Sequence, residues 1–306
     1  MNPLRLMTAF LVLSWAVPLW AQNFGPGGGR RPLRMDPYGG GPLGGGEIVV
    51  DPAIKTAREV ATRTGLDMPL WTNPPAFSRD VFTFARVRYD KKPNGPWLPR
   101  TGGWSTDLPD SDINLSFRLQ QMTSLKVDTD GRIIRLTDPE LVNYPYLSAS
   151  APGALYLNDE EIVALRRHLL NGGFFLLDDF WGEAEWANCE EVFRKVFPDR
   201  PFVELPLSHP LYHGVFEIKA KYQCANVHRG IESEFGGETW EKPDAKEVHH
   251  RGIADDRGRL MVLTLHNTDT GDGWEREGES DFYFHNFSEK IAYPLGVNIV
   301  YYVMTH

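Results

Sequence analysis

The stretch Leu157–Gly182 (LNDEEIVALRRHLLNGGFFLLDDFWG) contains a helix signal, a stop signal and a strand signal in succession. Asn158 and Glu161 have the spacing of a capping box, which predicts that a helix begins there and runs through Leu170. Asn171-Gly172-Gly173 then predicts the end of this helix, because glycine readily adopts the left-handed conformation that closes many helices.

An apolar run, Phe174–Leu177, follows this stop and predicts a buried strand that ends in two acids, Asp178 and Asp179. A second helix is predicted over Glu183–Phe197. The same alternation extends in both directions along the chain. Further strands are predicted at Val81–Tyr89, Ile133–Leu136, Tyr144–Ser148 and Phe202–Leu205, a hairpin at Val248–Ala254 and Leu260–His266, and further helices that begin at Ser111 or Asp112 and that cover Ser288–Met304.

Strands that alternate with helices over this distance indicate an α/β fold with a mainly parallel sheet. The hairpin near the end of the chain is predicted as an antiparallel addition to that sheet.

Composition narrows the classes of function. The 306 residues are 42% hydrophobic and 24% charged, which is typical of a folded globular protein. The formal net charge of −9 disfavours nonspecific binding to nucleic acid or to anionic lipid. The two cysteines, Cys189 and Cys224, are too few for a disulfide-stapled scaffold or a four-cysteine zinc site. They could form one disulfide or stay two buried thiols.

The N-terminal residues predict export. Met1–Ala21 has an early arginine, a short apolar run and a small residue before a polar one, the pattern of a signal peptide. An uncleaved anchor is the alternative. No later stretch approaches the length of a membrane span. We therefore expect a periplasmic or secreted protein that has no membrane span after signal removal.

Three regions are predicted after the signal segment. Residues 22–46 are rich in Gly and Pro and predict a flexible linker. Residues 47–80 predict a connector with one helix over 51–66, which Asp51-Pro52 would begin. Residues 81–306 predict the α/β domain.

Several long motifs resemble the bacterial domain-of-unknown-function 4159 family. Between about Phe82 and His306 they are, in order, FTFARVRYD, LTDPELVNYPYL, LNDEEIVALRRHLLNGGFFLLDDFWG, HPLYHGVFEI, LHNTDTGDGWE and AYPLGVNIVYYVMTH. The resemblance implies a flavodoxin-like open sheet with helices on both faces, of the class I glutamine amidotransferase-like type. It implies no established activity and no catalytic residue.

Amidotransferase chemistry needs a cysteine nucleophile on the sharp turn after a central strand. That turn is predicted at residues 178–182, which contain no cysteine. Cys189 lies about two helical turns further along the chain. We therefore predict a domain without amidotransferase activity.

Ligands of open parallel sheets bind beyond the carboxyl ends of the strands. Three groups of polar residues are predicted to lie at such ends. They are Tyr89 with Asp90; Asp178 and Asp179 with Trp181 and Glu183; and His266 and Asn267 with Asp269, Asp272 and Trp274.

Two hypotheses fit Asp178 and Asp179. Adjacent carboxylates can hold a cation, position a water or act as a general base, and His266 could pair with either of them for hydrolysis. In the alternative, Asp179 caps the next helix while Asp178 accepts backbone amides. Turn chemistry alone accounts for the Asn, Asp and Gly residues of 267–273, so no metal site and no cofactor are predicted.

His249 and His250 are adjacent in a predicted strand, so their side chains point to opposite faces and cannot chelate one ion together. The tryptophans, Trp97 and Trp274 among them, are expected mainly as core or loop anchors.

These patterns favour an exported α/β domain that binds a small molecule or an envelope protein through the strand-end crevice. The alternative is a hydrolase of saccharide or cell-envelope material. Its catalytic residues would be Asp178, Asp179 and His266, and the ligand-binding residues Tyr89, Asp90, Trp181, Asn267, Asp269 and Asp272.

Overall fold

The computed structural model describes residues 48–77, 80–93 and 103–306. Its strands are β1 (Ala85–Val87), β2 (Asp90–Lys91), β3 (Arg132–Ile134), β4 (Tyr146–Ser150), β5 (Leu155–Tyr156), β6 (Phe174–Phe180), β7 (Val203–Glu204), β8 (His249–Ala254) and β9 (Leu260–His266). Its α-helices are α1 (Asp110–Met122), α2 (Asp159–Leu170), α3 (Gly182–Val196), α4 (Val227–Ser233), α5 (Thr270–Glu275), α6 (Asp281–Tyr283) and α7 (Tyr293–Thr305). A π-helical stretch, Phe284–Ala292, joins α6 to α7.

Seven strands form one sheet in the order β3-β1-β4-β6-β9-β8-β7. The first five are parallel to one another, and β8 and β7 add antiparallel strands at one side. This confirms the predicted α/β sheet with its antiparallel hairpin. Numbered along the chain, the parallel strands stand in the order 2-1-3-4-5, which flavodoxin-like sheets also have. The superfamily placement stays a prediction.

Helices cover both faces of the sheet because neighbouring strand residues point to opposite sides. Phe175 and Leu177 of β6 pack into one core with residues of α2 and α3. Phe174 and Leu176 pack into a second core with residues of α1 and α7. We call these the α3 face and the α7 face of the sheet.

Local sequence signals predicted the helix and strand bounds in the middle of the domain closely. Asn158 and Glu161 make the predicted capping box, with each side chain bonded to the backbone of the other residue. The hairpin strands agree with the prediction to within one residue. The C-terminal helical segment begins earlier than predicted, at Asp281, and its first turns are mostly π-helical.

The helix predicted over 51–66 is wrong. Only one 3₁₀ turn forms there, Ala57–Glu59, and Val60 returns to extended backbone. Neighbouring residues take the backbone groups that a helix would use. The Ile133 N–H donates to the Lys55 carbonyl, and the Arg58 N–H donates to the Asp130 carbonyl. Tertiary pairing with the edge of the sheet therefore overrides the local pattern.

Several predictions concern residues outside the described ranges: the signal peptide, the linker over 22–46, and Trp97. Among the helices of residues 48–77, 80–93 and 103–306, none has the length and apolar character to cross a bilayer.

Cys189 and Cys224 are both free and fully buried. They do not pair because Cys189 belongs to the core on the α3 face, whereas Cys224 belongs to the core on the α7 face. Burial raises the pKa of both thiols.

The capping box at the start of α2 provides a test of the local energetics. Replacing Asn158 by Ala should lower the free energy of unfolding by about 1 kcal/mol, because the Glu161 N–H loses its partner. Asn158→Ser keeps a capping oxygen and should change the stability by less than half of that amount. Urea unfolding of the three proteins measures this, and equal losses in both variants would contradict the capping role.

Candidate functional site

The carboxyl ends of β1, β4, β6 and β9 meet at one edge of the sheet, because these strands are parallel and adjacent. Six acids gather at this edge, and we call them the strand-end acids. Asp178 and Asp179 lie near the end of β6, and Asp269 and Asp272 follow β9. Asp107 lies on the connection from β1 to α1, and Glu241 lies between α4 and β8.

Left-handed backbone marks the same edge. Among the described residues, four that are not glycine have positive φ: Asp107, Ala151, Asp179 and Asn267. Ala151 follows β4 directly, and Asn267 follows β9 directly. Such residues cost on the order of 1–3 kcal/mol each and concentrate at functional sites. The left-handed residues therefore mark this edge as the candidate site.

Two groups of carboxylates share Asp269. In the interior triad, Asp107, Asp269 and Asp272, one oxygen of each residue lies within 4.8 Å of the others, and all three residues are buried. In the surface triad, Asp179, Glu241 and Asp269, the same spacing holds, but Asp179 is half-buried and Glu241 is exposed. The acids thus lead from the surface into the interior. Oxygen ligands at this spacing are those that hard cations prefer.

Few basic side chains contact these acids directly. In the part of the chain that the structure describes, Asp107, Asp178, Asp179 and Asp269 form no salt bridge with lysine or arginine. The nearest contact is peripheral, since Arg276 Nε lies 4.0 Å from Asp272 Oδ1 and 2.9 Å from Glu275. The negative charge of the ionised cluster is therefore compensated only in part, by more distant groups such as Arg86 and Arg63 near Asp107.

Burial and mutual repulsion raise the pKa values of the acids. Burial raises the pKa of Asp107 to about 7, with Glu275 adding to the effect, and burial raises the pKa of Asp178 to about 6. Loss of water also raises the pKa of Asp179, Asp269 and Asp272 well above the ordinary value, and each is raised further by its acidic neighbours. Proton uptake or a bound cation would relieve this repulsion.

His266 does not join the acids. Its strand neighbours Leu263 and Leu265 show that it points to the α3 face, where its ring packs 4.8 Å from the ring of Phe180. Asp178 follows Leu176 and points to the α7 face, where it accepts hydrogen bonds from Thr270 and Gly271. Side-chain alternation therefore separates His266 from Asp178. The ring nitrogens of His266 bond to Arg251 and to the Gly182 carbonyl, so neither forms a hydrolytic pair with Asp178 or Asp179 in this structure.

The hydrogen bonds of His266 fix its role as a neutral core residue. Arg251 can only donate, so it donates to Nδ1 at 3.1 Å, and the proton on Nε2 is donated to the Gly182 carbonyl at 3.1 Å. Burial lowers the pKa of His266 to about 4. Both ring nitrogens are therefore occupied in the folded protein.

The helix cap predicted for Asp179 is wrong, because α3 begins after Trp181 and has no side-chain cap. Asp179 instead has a φ of 59°, which interrupts the register of β6 with β9, and its carboxylate accepts the Trp181 Nε1–H at 3.0 Å. Asp178 accepts a hydrogen bond from the Gly271 backbone N–H at 2.8 Å. This confirms the part of the capping hypothesis in which Asp178 accepts backbone amides.

The other predicted ligand residues have different surroundings. Tyr89 is buried, and its hydroxyl lies 2.7 Å from the carbonyl oxygens of Ser150 and Ala151. Asp90 is exposed in β2 and pairs with Arg135 at 3.4 Å, apart from both triads. Asn267 accepts the Gly182 N–H at 2.8 Å and supports the turn.

Sequence reasoning missed Asp107 and Glu241. Asp107 lies 20 residues beyond the end of β1, whereas the prediction considered only residues directly after each strand. Its neighbours Asp110 and Asp112 lie at the start of a predicted helix, where acids are common. The acidic segment around Asp107 therefore gave no reason to predict a binding site. No sequence signal singles out Glu241 in the irregular segment before β8.

Comparison with known proteins gives a family. A family model described as a domain of unknown function (DUF4159) matches residues 83–304. The comparison with curated proteins found no match. The matched range contains every member of both triads, namely Asp107, Asp179, Glu241, Asp269 and Asp272.

The neutral state of His266 predicts a pH dependence of stability. Its folded pKa of about 4 lies below the ordinary value, so the unfolded chain takes up a proton first as the pH falls. Stability should therefore fall between about pH 6.5 and 4, by roughly 3 kcal/mol from this residue. Urea unfolding of the wild type and His266→Gln should give a smaller slope for the variant, while equal slopes would contradict a buried neutral histidine.

Proposed function

The chain belongs to the DUF4159 family, whose function is unknown, and we propose that it is an exported domain that binds a positively charged ligand at the strand-end acids. Export is proposed from the signal-like segment Met1–Ala21. The ligand is proposed from the site, because its acids gather from β6, from the connections after β1 and β9 and from the segment before β8. Among the described residues, only Asp272 of these acids lies within salt-bridge distance of a lysine or arginine.

The surface triad is the observation that carries this proposal. Glu241 is exposed and Asp179 is half-buried, so a ligand can reach them from solvent, while the third member, Asp269, is buried. Negative groups beside a low-dielectric interior concentrate cations from solution. They equally repel phosphates and carboxylates, so anionic small molecules fit this entrance poorly.

Absence of a suitable nucleophile supports binding over amidotransferase chemistry. The residue with left-handed backbone near the end of β6 is Asp179, and the following helix carries Cys189 as a fully buried thiol. Cys224 is also fully buried, on the other face of the sheet.

Charge neutralisation at the surface triad tests this function. We expect spermidine, MgCl₂ or CaCl₂ to bind the purified chain in calorimetric titrations, and Asp179→Asn with Glu241→Gln to weaken that binding at least tenfold, or about 1.4 kcal/mol. Asp90→Asn is the matched control, because Asp90 is an exposed acid of β2 that pairs with Arg135 outside the triads. It should bind as the wild type does.

Two results would contradict the proposal. One is that none of the three cations binds. The other is that the double variant and Asp90→Asn bind them as well as the wild type does, which would place any cation elsewhere.

A further inference from the structure

The three acids of the surface triad are held in two different ways. Asp179 lies in β6, and Asp269 begins α5, where its Oδ1 accepts the Asp272 N–H at 2.7 Å. Glu241 instead lies in the irregular segment between α4 and β8. We call residues 238–247 of that segment the Glu241 arm. The third carboxylate of the triad therefore depends on whatever holds this arm in place.

The backbone of the Glu241 arm makes few bonds of its own. Within this described segment, one hydrogen bond joins two backbone groups of the arm, from the Ala245 N–H to the Lys242 carbonyl at 3.0 Å. Helices and strands pair their backbone groups in regular ladders, whereas an irregular segment needs other partners to hold its shape. Side chains from outside the arm supply those partners.

One such side chain bonds to the arm on both sides of Glu241. Gln223 Oε1 accepts the Thr239 hydroxyl at 2.6 Å, and Gln223 Nε2 donates to the Ala245 carbonyl at 3.1 Å. Nε2 also donates to the Asn267 carbonyl at 2.8 Å, at the turn after β9. Both amide hydrogens are thus used, because the two carbonyls can only accept. Gln223 closes the arm into a loop and fixes that loop to the end of β9.

The other contacts of the arm lie at Glu241 or after it. Asn226 donates to the Glu241 carboxylate, and the Glu183 N–H at the start of α3 donates to Asp244 at 3.0 Å. Among the described residues, Gln223 therefore supplies the side-chain hydrogen bond that restrains the arm before Glu241.

We infer that Gln223 is a positioning residue of the surface triad, which holds the arm closed and so places Glu241 beside Asp179 and Asp269. This inference rests on the proposed function and adds how its site is assembled. Two acids are fixed by β6 and α5, whereas the third joins them only while the arm is closed. The affinity for a cation therefore depends on a residue outside the triad.

The decisive variant is Gln223→Met, which keeps a side chain of similar length and removes all three hydrogen bonds. Gln120→Met is the matched control. Gln120 is also half-buried, and its Oε1 accepts the Val127 N–H at 2.9 Å on the connection from α1 to β3, outside the arm and both triads.

Residue-resolved hydrogen exchange of the full chain measures the arm without any ligand. The reporter amides are Glu183, which donates to Asp244 of the arm, and Ala245. Gln223→Met should speed their exchange about tenfold or more and leave the amides of β6 unchanged, because local opening does not unfold the sheet. Gln120→Met should leave both reporters unchanged.

Two exchange results would overturn the inference. One is that the reporters exchange equally fast in Gln223→Met and in the wild type. The other is that β6 exchanges faster by the same factor as the reporters, which would show a general loss of stability instead of release of the arm.

A double-mutant cycle with Glu241→Gln tests whether Gln223 acts through Glu241. In calorimetric titrations with spermidine, MgCl₂ and CaCl₂, Gln223→Met should weaken binding about threefold or more in the wild type. In the Glu241→Gln background it should weaken binding by less than about twofold, because the charge that Gln223 positions is already gone. Equal losses in the two backgrounds would overturn the inference.

Thr239→Val is the second variant if Gln223→Met does not fold. It removes only the hydrogen bond before Glu241, so the reporters should still exchange faster while β6 does not. Unchanged exchange of the reporters in Thr239→Val would then overturn the inference.

The two measurements also separate this inference from the proposed function. If cations bind to the wild type and Gln223→Met does not loosen the arm, the function stands and the role of Gln223 is wrong. If none of the three cations binds to the wild type, the proposed function fails, and the exchange rates alone decide whether Gln223 holds the arm.

Discussion

Parallel pairing of β1, β4, β6 and β9 is the constraint on which the rest of the molecule depends. It sends four connections out at one edge of the sheet, and those connections must turn sharply to reach the covering helices. The left-handed residues and five of the six acids lie at these strand ends or on the connections that leave them, while Glu241 reaches the edge from the segment before β8. A sheet with the same residues in antiparallel order would divide them between two edges, and no acidic cluster would form.

Burial gives the cluster its chemical character. On an exposed loop, six carboxylates would be screened by water and salt and would interact only weakly. Beside the hydrophobic cores, the same groups repel strongly, and Asp107 and Asp178 hold protons to higher pH than usual. The backbone hydrogen bonds to Asp178 and Asp272 keep the acids in place despite that repulsion.

The sequence predicts what depends on local chemistry and misses what depends on tertiary contacts. The capping box at Asn158 and the hairpin that ends at His266 are properties of a few adjacent residues, and both are confirmed. The helix over 51–66 fails because an edge strand competes for its backbone. Sequence spacing alone did not place His266 relative to the acids, because that depends on how β6 pairs with β9. In the sheet, His266 and Asp178 point to opposite faces, and Asp179 interrupts the register between the two strands.

Asp269 belongs to both triads, and this has a thermodynamic consequence. One carboxylate cannot give its full charge to two occupants, so whatever fills the interior triad weakens the hold of the surface triad on a second cation. By linkage, an occupant of the surface triad must weaken the interior one by the same factor. Cations at the two triads would therefore oppose each other, so that binding at the surface triad would favour release from the interior triad.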